Sequence, residues 1–257
     1  AAHPYTEVEY DKLNPSNIIK TFGGNQIDGE WKTGYSFTTP VAQEMYYAFG
    51  FDYFEGQVTS GLKEVITKFY KTTNVDPHGV ETVVFTDGEG KTLATARSTG
   101  SSMQYPVIST IGTQGYIDVY VPSSTTPGTL IGSTSNYKVY NLKTGSLISP
   151  TPATLAPGNA YRVEAINIPN NDSKIYINVA TGGVQAESGA LGVQYEVNYY
   201  DYSLNYYDKV DRLIKTTQPN GFDFSGVDNG VVLAQPSHTF ATTYTYNSED
   251  QLIMTSS

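Results

Sequence analysis

YYDKVDRLIKTT, residues 206–217, predicts a β-hairpin of strand, Asp-led turn and strand, and three other stretches of the chain repeat this pattern more loosely. The carboxylate of Asp208 can accept hydrogen bonds from backbone N–H groups two or three residues further on, which fixes the start of a turn. Asp211 lies where the chain must reverse, and Asp tolerates the positive φ that tight hairpin loops often require. Arg212 can pair with Asp208 across the loop, and Leu213 then opens the return strand on the core face. Each polar residue therefore has a structural role, and none is needed for chemistry.

Looser copies of this hairpin are found at residues 244–255, 83–96 and 8–20. The residue at the reversal of the turn is Asp, Gly or Asn in every copy, and all three tolerate positive φ. The copy at 83–96 departs from the lead copy with Thr86 and Thr92 in place of Tyr and Leu. The aligned positions are Tyr207, Asp208, Asp211, Arg212 and Leu213; Tyr246, Asn247, Asp250, Gln251 and Leu252; Asp87, Gly90 and Lys91; and Tyr10, Asp11 and Asn14.

This pattern resembles the unit of the YD-repeat (Rhs-repeat) family, which reads Tyr-Asp-x-x-Gly-Arg-Leu and continues into a strand and a Gly-containing turn. Residues 22–31 and 75–97 are also similar to segments of large YD-repeat surface proteins of the Bacteroidetes type. Successive hairpins of that family wind a continuous sheet into a shell or spiral, which encloses a toxic cargo domain or presents a surface for contact. The resemblance implies a non-catalytic scaffold of a secreted or cell-surface bacterial protein, with the remainder of the same large polypeptide as its partner.

The composition favours a turn-rich, aromatic β protein, since the 257 residues include 24 Gly, 13 Pro and 22 Tyr and only 16% are charged. A net charge of −10 argues against nucleic acid as a partner, because phosphate binding needs a basic stripe. The absence of cysteine excludes a disulfide scaffold, a thiol nucleophile and a thiolate metal site. No apolar run is long enough to span a membrane, and the first residues do not resemble a signal peptide. Because the sequence begins and ends inside segments that resemble YD repeats, it is expected to be a piece of a longer protein.

The middle of the chain differs in character from its two flanks. Residues 116–180 alternate short apolar strands with turn signals such as Pro-Gly at regular intervals, which is typical of a β-sandwich. The predicted fold is all-β, with antiparallel YD-type hairpins forming a curved sheet and an inserted β-sandwich domain. The predicted divisions are a YD-repeat-like segment at 1–100, the inserted sandwich with its linkers at 101–192, and a second YD-repeat-like segment at 193–257.

Local patterns give further predictions. The alternating aromatic residues at 47, 49, 51 and 53 favour a strand over a short helix. Val65, Thr67 and Phe69 are expected to share one face of a single strand. The apolar parity changes between Tyr195 and Tyr206, which predicts a β-bulge or strand break near residues 199–201.

The sequence contains no recognisable catalytic centre. His3, His78 and His238 lie far apart without metal-ligand spacing, and they are expected to be exposed loop residues. The Asp-Pro-His-Gly sequence at 76–79 is interpreted as a turn rather than a self-cleavage element. No acidic cluster completes a calcium loop, so no metal site and no cofactor are predicted.

An alternative function is a carbohydrate- or surface-binding β-sandwich module, with a surface glycan or a protein as its partner. Its basis is the aromatic richness of the chain combined with a predicted sandwich. An exposed coplanar row of rings drawn from Trp31, Tyr116, Tyr120 or Tyr140 would support this alternative, and burial of those rings would count against it.

Overall fold

The structure is a computed structural model that describes residues 6–10, 18–27, 30–41, 43–50, 58–65, 69–98, 104–228, 231–232 and 234–257, with at most the backbone for 22–32. In chain order the elements are β1 (Glu7–Tyr10), β2 (Ile18–Ile27), β3 (Glu30–Val41), α1 (Gln43–Phe49), β4 (Val58–Thr59), β5 (Leu62–Val65), β6 (Phe69–Val75), β7 (Glu81–Thr86), β8 (Thr92–Arg97), β9 (Tyr105–Thr110), β10 (Tyr116–Val121), β11 (Gly128–Leu130), β12 (Tyr137–Asn141), β13 (Ser146–Ile148), β14 (Thr154–Leu155), β15 (Asn159–Ala165), β16 (Ile175–Asn178), β17 (Val184–Ala186), β18 (Gly192–Val197), β19 (Tyr200–Tyr207), β20 (Leu213–Thr217), β21 (Val227–Asp228), β22 (Val231–Val232), β23 (Ala241–Tyr246) and β24 (Leu252–Ser256). The predicted all-β class with antiparallel sheets is confirmed.

The largest sheet has ten strands, and it joins the two flanks of the chain. Its strand order is β1-β2-β3-β6-β7-β8-β19-β20-β23-β24, with every neighbouring pair antiparallel. The junction is the pairing of β8 with β19, in which Thr95 lies opposite Ser203 and Ala94 opposite Leu204. Six strands before residue 98 and four strands after residue 199 therefore belong to one sheet.

The chain between β8 and β19 forms a β-sandwich of two four-stranded sheets, ordered β10-β15-β12-β13 and β14-β11-β18-β9. Alternate apolar side chains of both sheets are buried in one cluster, as period-two patterning requires. The predicted domain boundary between residues 192 and 193 falls inside strand β18. This strand pairs with β9 and β11 of the sandwich. A further sheet, β17-β16-β5-β4, pairs Ile175 with Val65 and so connects this region to the first flank.

Two local predictions are wrong. Residues 43–49 form helix α1, and not a strand, with every one of its side chains buried. A segment buried on all sides shows no helical period, so its alternating aromatic residues were misleading. Residues 65 and 69 do not share one strand either, because β5 and β6 belong to different sheets. Phe51, Tyr53 and Thr67 lie outside the described residues.

The break predicted near residues 199–201 is confirmed. Strand β18 ends at Val197 and β19 begins at Tyr200. Asp201 has a φ of 52°, and the β8–β19 register shifts between Tyr200 and Ser203. This irregularity lets the chain leave the sandwich and enter the ten-stranded sheet with its apolar residues on the correct face.

Helix α1 lies at the junction between the ten-stranded sheet and the sandwich. Its Glu44 accepts a hydrogen bond of 2.6 Å from Lys71 of β6, and Lys71 also donates to the Tyr199 hydroxyl at 2.8 Å. On the other side, the Tyr47 hydroxyl donates to the carbonyl of Pro106 in β9 at 2.7 Å. Burial, the largest single effect, would lower the pKa of Lys71, but the Glu44 carboxylate together with Tyr195 and Tyr199 outweighs it and raises the pKa well above its ordinary value.

The connection between β20 and β23 closes over the end of α1. His238 Nε2 lies 2.7 Å from the carbonyl of Ala48, and Gln235 donates to the carbonyl of Phe49 at 2.7 Å. These contacts satisfy carbonyls that a helix end leaves without an intrahelical partner. The prediction of an exposed histidine is therefore wrong for His238, which is half-buried, whereas His78 is exposed. His3 lies outside the described residues.

We expect the stability of the fold to fall at acidic pH because of His238. Its Nδ1 accepts the backbone N–H of Asp223 at 2.9 Å, so the neutral ring is the form that fits. Burial lowers the pKa of His238 in the folded chain below its ordinary pKa. A group with a lowered pKa stabilises the fold at pH values above its ordinary pKa, and this stabilisation is lost as the pH falls through the pKa of the folded state. Thermal unfolding from about pH 7 to about pH 5 should show a smaller loss in His238→Gln than in the unmodified chain. A His78→Gln control should keep the full loss, and an identical loss in His238→Gln would contradict this account.

Candidate functional site: a row of hairpin turns

Four hairpin turns share one backbone arrangement. In the lead copy, Asp208 Oδ1 accepts the backbone N–H groups of Val210 and Arg212, each at 3.0 Å. The N–H of Asp208 donates to the carbonyl of Arg212, and the N–H of Asp211 donates to the carbonyl of Asp208. The same bonds recur in all four turns, which are residues 76–80, 87–91, 208–212 and 247–251.

The predicted turn chemistry is confirmed, with one adjustment. The first residue of each turn accepts N–H groups two and four residues further on, and not two and three. The backbone N–H of Arg212 is the largest cause that lowers the pKa of the Asp208 carboxyl, and the Arg212 guanidinium lowers it further. The fourth residue has a positive φ in every turn: 82° at Gly79, 86° at Gly90, 66° at Asp211 and 62° at Asp250.

The turn at 76–80 belongs to this set, although it is not one of the four hairpin copies predicted from the sequence. Asp76 followed by Gly79 repeats the spacing of Asp87 and Gly90, and that spacing alone could have identified it. It lies at the opposite end of the strands from the other turns, because it connects β6 to β7. The Asp-Pro-His-Gly sequence is thus a turn, as predicted.

The remaining turns, 87–91, 208–212 and 247–251, form a row at one end of the ten-stranded sheet. They lie side by side because β8 pairs with β19 and β20 pairs with β23. Lys91, the fifth residue of the first turn, donates to the Asp211 carboxylate of the second turn. Arg212, the fifth residue of the second turn, donates to Asp250 of the third turn at 2.6 Å. In both places, the fifth residue of one turn therefore binds the fourth residue of the next turn.

A tyrosine precedes the second and third turns of the row, and each of these tyrosines makes a second repeated contact with the turn before its own. The Tyr207 hydroxyl donates to the carbonyl of Thr92 at 3.0 Å, and the Tyr246 hydroxyl donates to the carbonyl of Leu213 at 2.9 Å. Each acceptor is the residue that follows the fifth position of the preceding turn. The cation of that turn lies over the same ring, with Lys91 and Arg212 each 5.1 Å from the ring centre of Tyr207 or Tyr246.

These contacts explain why the copies differ in sequence. The turns at 208–212 and 247–251 each have a neighbour before them in the row, and both have Tyr before the turn and Asp at its fourth position. The turns at 87–91 and 76–80 have no such neighbour among the described residues, and both have glycine at the fourth position and no preceding Tyr. Asp in the left-handed region costs more than Gly, so local preference alone would select Gly. The contact between turns accounts for the exception.

Other predicted positions lie away from this row or differ from expectation. Leu213 is half-buried and is not among the described side chains that pack against the core cluster, so it does not open the return strand on the core face as predicted. Leu252, at the equivalent position of the last hairpin, is 52% exposed. Tyr10 is exposed on β1, and Asp11 and Asn14 lie outside the described residues. Within the described part of the chain, no group of three or more His, Asp or Glu residues could hold a metal ion.

The aromatic residues that would support glycan stacking do not form an exposed row in the sandwich. Tyr120 is buried, stacks on Phe37 at 5.8 Å and donates to Glu81 at 2.6 Å. The Arg162 guanidinium covers the Tyr116 ring at 4.3 Å. Tyr140 is half-buried, and the side chain of Trp31 lies outside the description.

The fold and its row of turns place the chain in the class of all-β proteins built on antiparallel hairpins. No family model, curated protein or solved structure matches the chain. No helix in the described ranges is long and apolar enough to cross a membrane.

We expect Tyr246→Phe to lower the free energy of unfolding by about 1 kcal/mol, because it leaves the Leu213 carbonyl without this hydrogen bond. Urea denaturation of the full chain measures the loss. Tyr244→Phe on the same strand is the matched control, since the Tyr244 hydroxyl lies 3.5 Å from Thr216, at the limit of hydrogen bonding. Equal losses in both variants would show that the hydroxyl contact between turns contributes nothing specific.

The effect of Asp250→Gly should depend on Arg212. Glycine relieves the left-handed backbone, which costs an L-residue about 1 kcal/mol, but it also removes the acceptor of the Arg212 guanidinium. We expect little net change in the unmodified chain and a clear stabilisation when Arg212→Ala is already present. Urea denaturation of the four combinations of these two changes gives the coupling. A stabilisation of the same size in both backgrounds would mean that the contact has no role.

Proposed function

We propose that this chain is a non-catalytic structural scaffold, a segment of a large exported YD-repeat protein in which successive hairpins extend one continuous β-sheet. Secretion or surface location, and a link to toxin delivery, come from the resemblance of the hairpin motif to that family. The net charge of −10 and the absence of cysteine are compatible with an exported protein. The inserted sandwich would then lie beside the sheet without interrupting it.

The observation that carries this proposal is the repeated contact between adjacent turns. The Lys91–Asp211 and Tyr207–Thr92 contacts recur as Arg212–Asp250 and Tyr246–Leu213. A set of contacts that repeats from hairpin to hairpin is what an extendable array requires, because each unit binds its neighbours in the same way. The aspartates of the row, which are Asp87, Asp208, Asp211 and Asp250, bind backbone N–H groups or cations, as a structural role requires.

Hydrogen exchange tests the proposal. The terminal strands β1 and β24 are exposed along their whole length, so their backbone amides should exchange fast in this chain. Within the full gene product, neighbouring hairpins should protect both strands, while β7 and β8 at the centre of the sheet should be protected in either context. Equally fast exchange of β1 and β24 in both contexts would contradict a scaffold that continues in either direction.

A further inference from the structure

The last turn of the row, residues 247–251, presents the groups that the earlier turns use to bind a following turn. Gln251 occupies the position of Lys91 and Arg212, and the Leu252 carbonyl occupies the position of the Thr92 and Leu213 carbonyls. The equivalence is structural, because all three turns share the same backbone hydrogen bonds.

Gln251 is held in place as the earlier cations are. Arg212 is bound by Asp208 of its own turn at 2.7 Å, and Lys91 is bound by Asp87 at 3.6 Å. In the last turn, the Asn247 amide donates to Gln251 Oε1 at 3.0 Å. This bond leaves the Gln251 Nε2 donors directed away from Asn247, and no described residue accepts a hydrogen bond from them.

Strand β24 is the edge strand of the ten-stranded sheet beside this last turn, and its backbone can pair with a further strand. It pairs only with β23 among the described strands, and Leu252, Ile253 and Met254 are 52%, 61% and 55% exposed. It has no charged residue, which is the usual protection of a free strand against pairing. The sheet alternates strand direction without exception up to this point, so the next strand would be antiparallel to β24.

We propose that β24 binds a β-hairpin from the following part of the same polypeptide, and that Gln251 selects one whose turn has the pattern Tyr-(Asp or Asn)-x-x-Asp. The aspartate accepts from Gln251 Nε2, and the tyrosine hydroxyl donates to the Leu252 carbonyl. This inference rests on the proposed function and names the partner that the row of turns recognises. It also excludes a turn with glycine at the fourth position as the preferred neighbour, because Gly79 and Gly90 occur only in turns without a preceding neighbour in the described part of the chain.

The test uses the full 257-residue chain extended after Ser257 by a short Gly/Ser linker and a second copy of residues 241–256. A hairpin of this length is marginal alone, so it should be ordered only if it docks, and the linker supplies a high effective concentration. We expect the β24 amides to exchange much more slowly in the extended chain. Asp250→Gly in the added copy should make their exchange about fivefold faster, the size of one hydrogen bond.

Gln251→Ala in the original turn provides the matched variant. It should produce the same loss of protection as Asp250→Gly in the added copy, with no further loss when the two are combined. In the chain without the extension, it should leave the exchange of β24 unchanged. If the Asp and Gly versions protect β24 equally, the selection by Gln251 is overturned while the scaffold proposal stands. If neither version protects β24, both are overturned.

Discussion

Replacing Lys71 by methionine is expected to lower the free energy of unfolding by about 3–5 kcal/mol, because it leaves the Glu44 carboxylate buried without its cation. Both side chains are fully buried, and their charged atoms lie 2.6 Å apart. Lys71 also lies over the rings of Tyr195 and Tyr199, at 4.8 and 5.0 Å from their centres, so the ammonium is enclosed by aromatic faces. Glu44 Oε2 has no hydrogen-bond partner among the described residues, and the loss of Lys71 would leave the carboxylate still less satisfied.

Urea denaturation measures this effect, and a second replacement shows its cause. Lys71→Met combined with Glu44→Leu should recover most of the loss, since two apolar side chains replace the whole ion pair. Lys174→Met is the control, because Lys174 pairs with Glu64 at 2.8 Å on the exposed surface and should change stability little. A loss for Lys71→Met no larger than for Lys174→Met would contradict the buried pair.

Tyr202→Ala should cost about 3–5 kcal/mol, which is typical of removing a large aromatic side chain from a core. Tyr202 of β19 is 1% exposed, its hydroxyl bonds that of Tyr105 in β9, and its ring stacks on Phe222 at 4.3 Å. It therefore contacts the sandwich and the connection between β20 and β23 at once. Burial raises its pKa well above the ordinary value, so the hydroxyl stays neutral.

Two further variants separate packing from hydrogen bonding at this position. Tyr202→Phe keeps the ring and should cost about 1 kcal/mol, because only the bond to the Tyr105 hydroxyl is lost. Tyr200→Ala on the same strand should cost less than Tyr202→Ala, since Tyr200 is only half-buried. Similar losses for Tyr200→Ala and Tyr202→Ala, measured in urea, would show that Tyr202 does not anchor the junction.

The hairpin turns could be predicted from sequence because their chemistry is local. The side chain of Asp208 bonds residues two and four positions away, and Asp211 adopts a positive φ within the same turn. The short strands of the sandwich also follow from a period of two within each segment. Helix α1 could not be predicted in this way, since all of its sides are buried and no apolar stripe marks it.

The contacts between turns depend on residues that are distant in sequence. Lys91 and Asp211 are 120 positions apart, and the intervening sandwich hides their relation. Local preference alone would select Gly at the position of Asp211 and Asp250, and the cation that binds each of these aspartates comes from the preceding turn. The Lys71–Glu44 pair lies in segments 27 positions apart that become neighbours only when α1 packs on β6.

The two flanks of the chain form one sheet through the pairing of β8 with β19, and a cross-link between these strands tests that pairing directly. The chain has no cysteine, so a variant with Thr95→Cys and Ser203→Cys can form only one intramolecular disulfide, and that disulfide would cross the β8–β19 junction. We predict nearly complete cross-linking of this pair on mild oxidation, read by intact mass and thiol labelling. Thr95→Cys with Thr242→Cys should not cross-link, because β19 and β20 lie between these positions and separate them by about 14 Å. Failure of the first pair to cross-link, or equal cross-linking of both pairs, would contradict the single sheet.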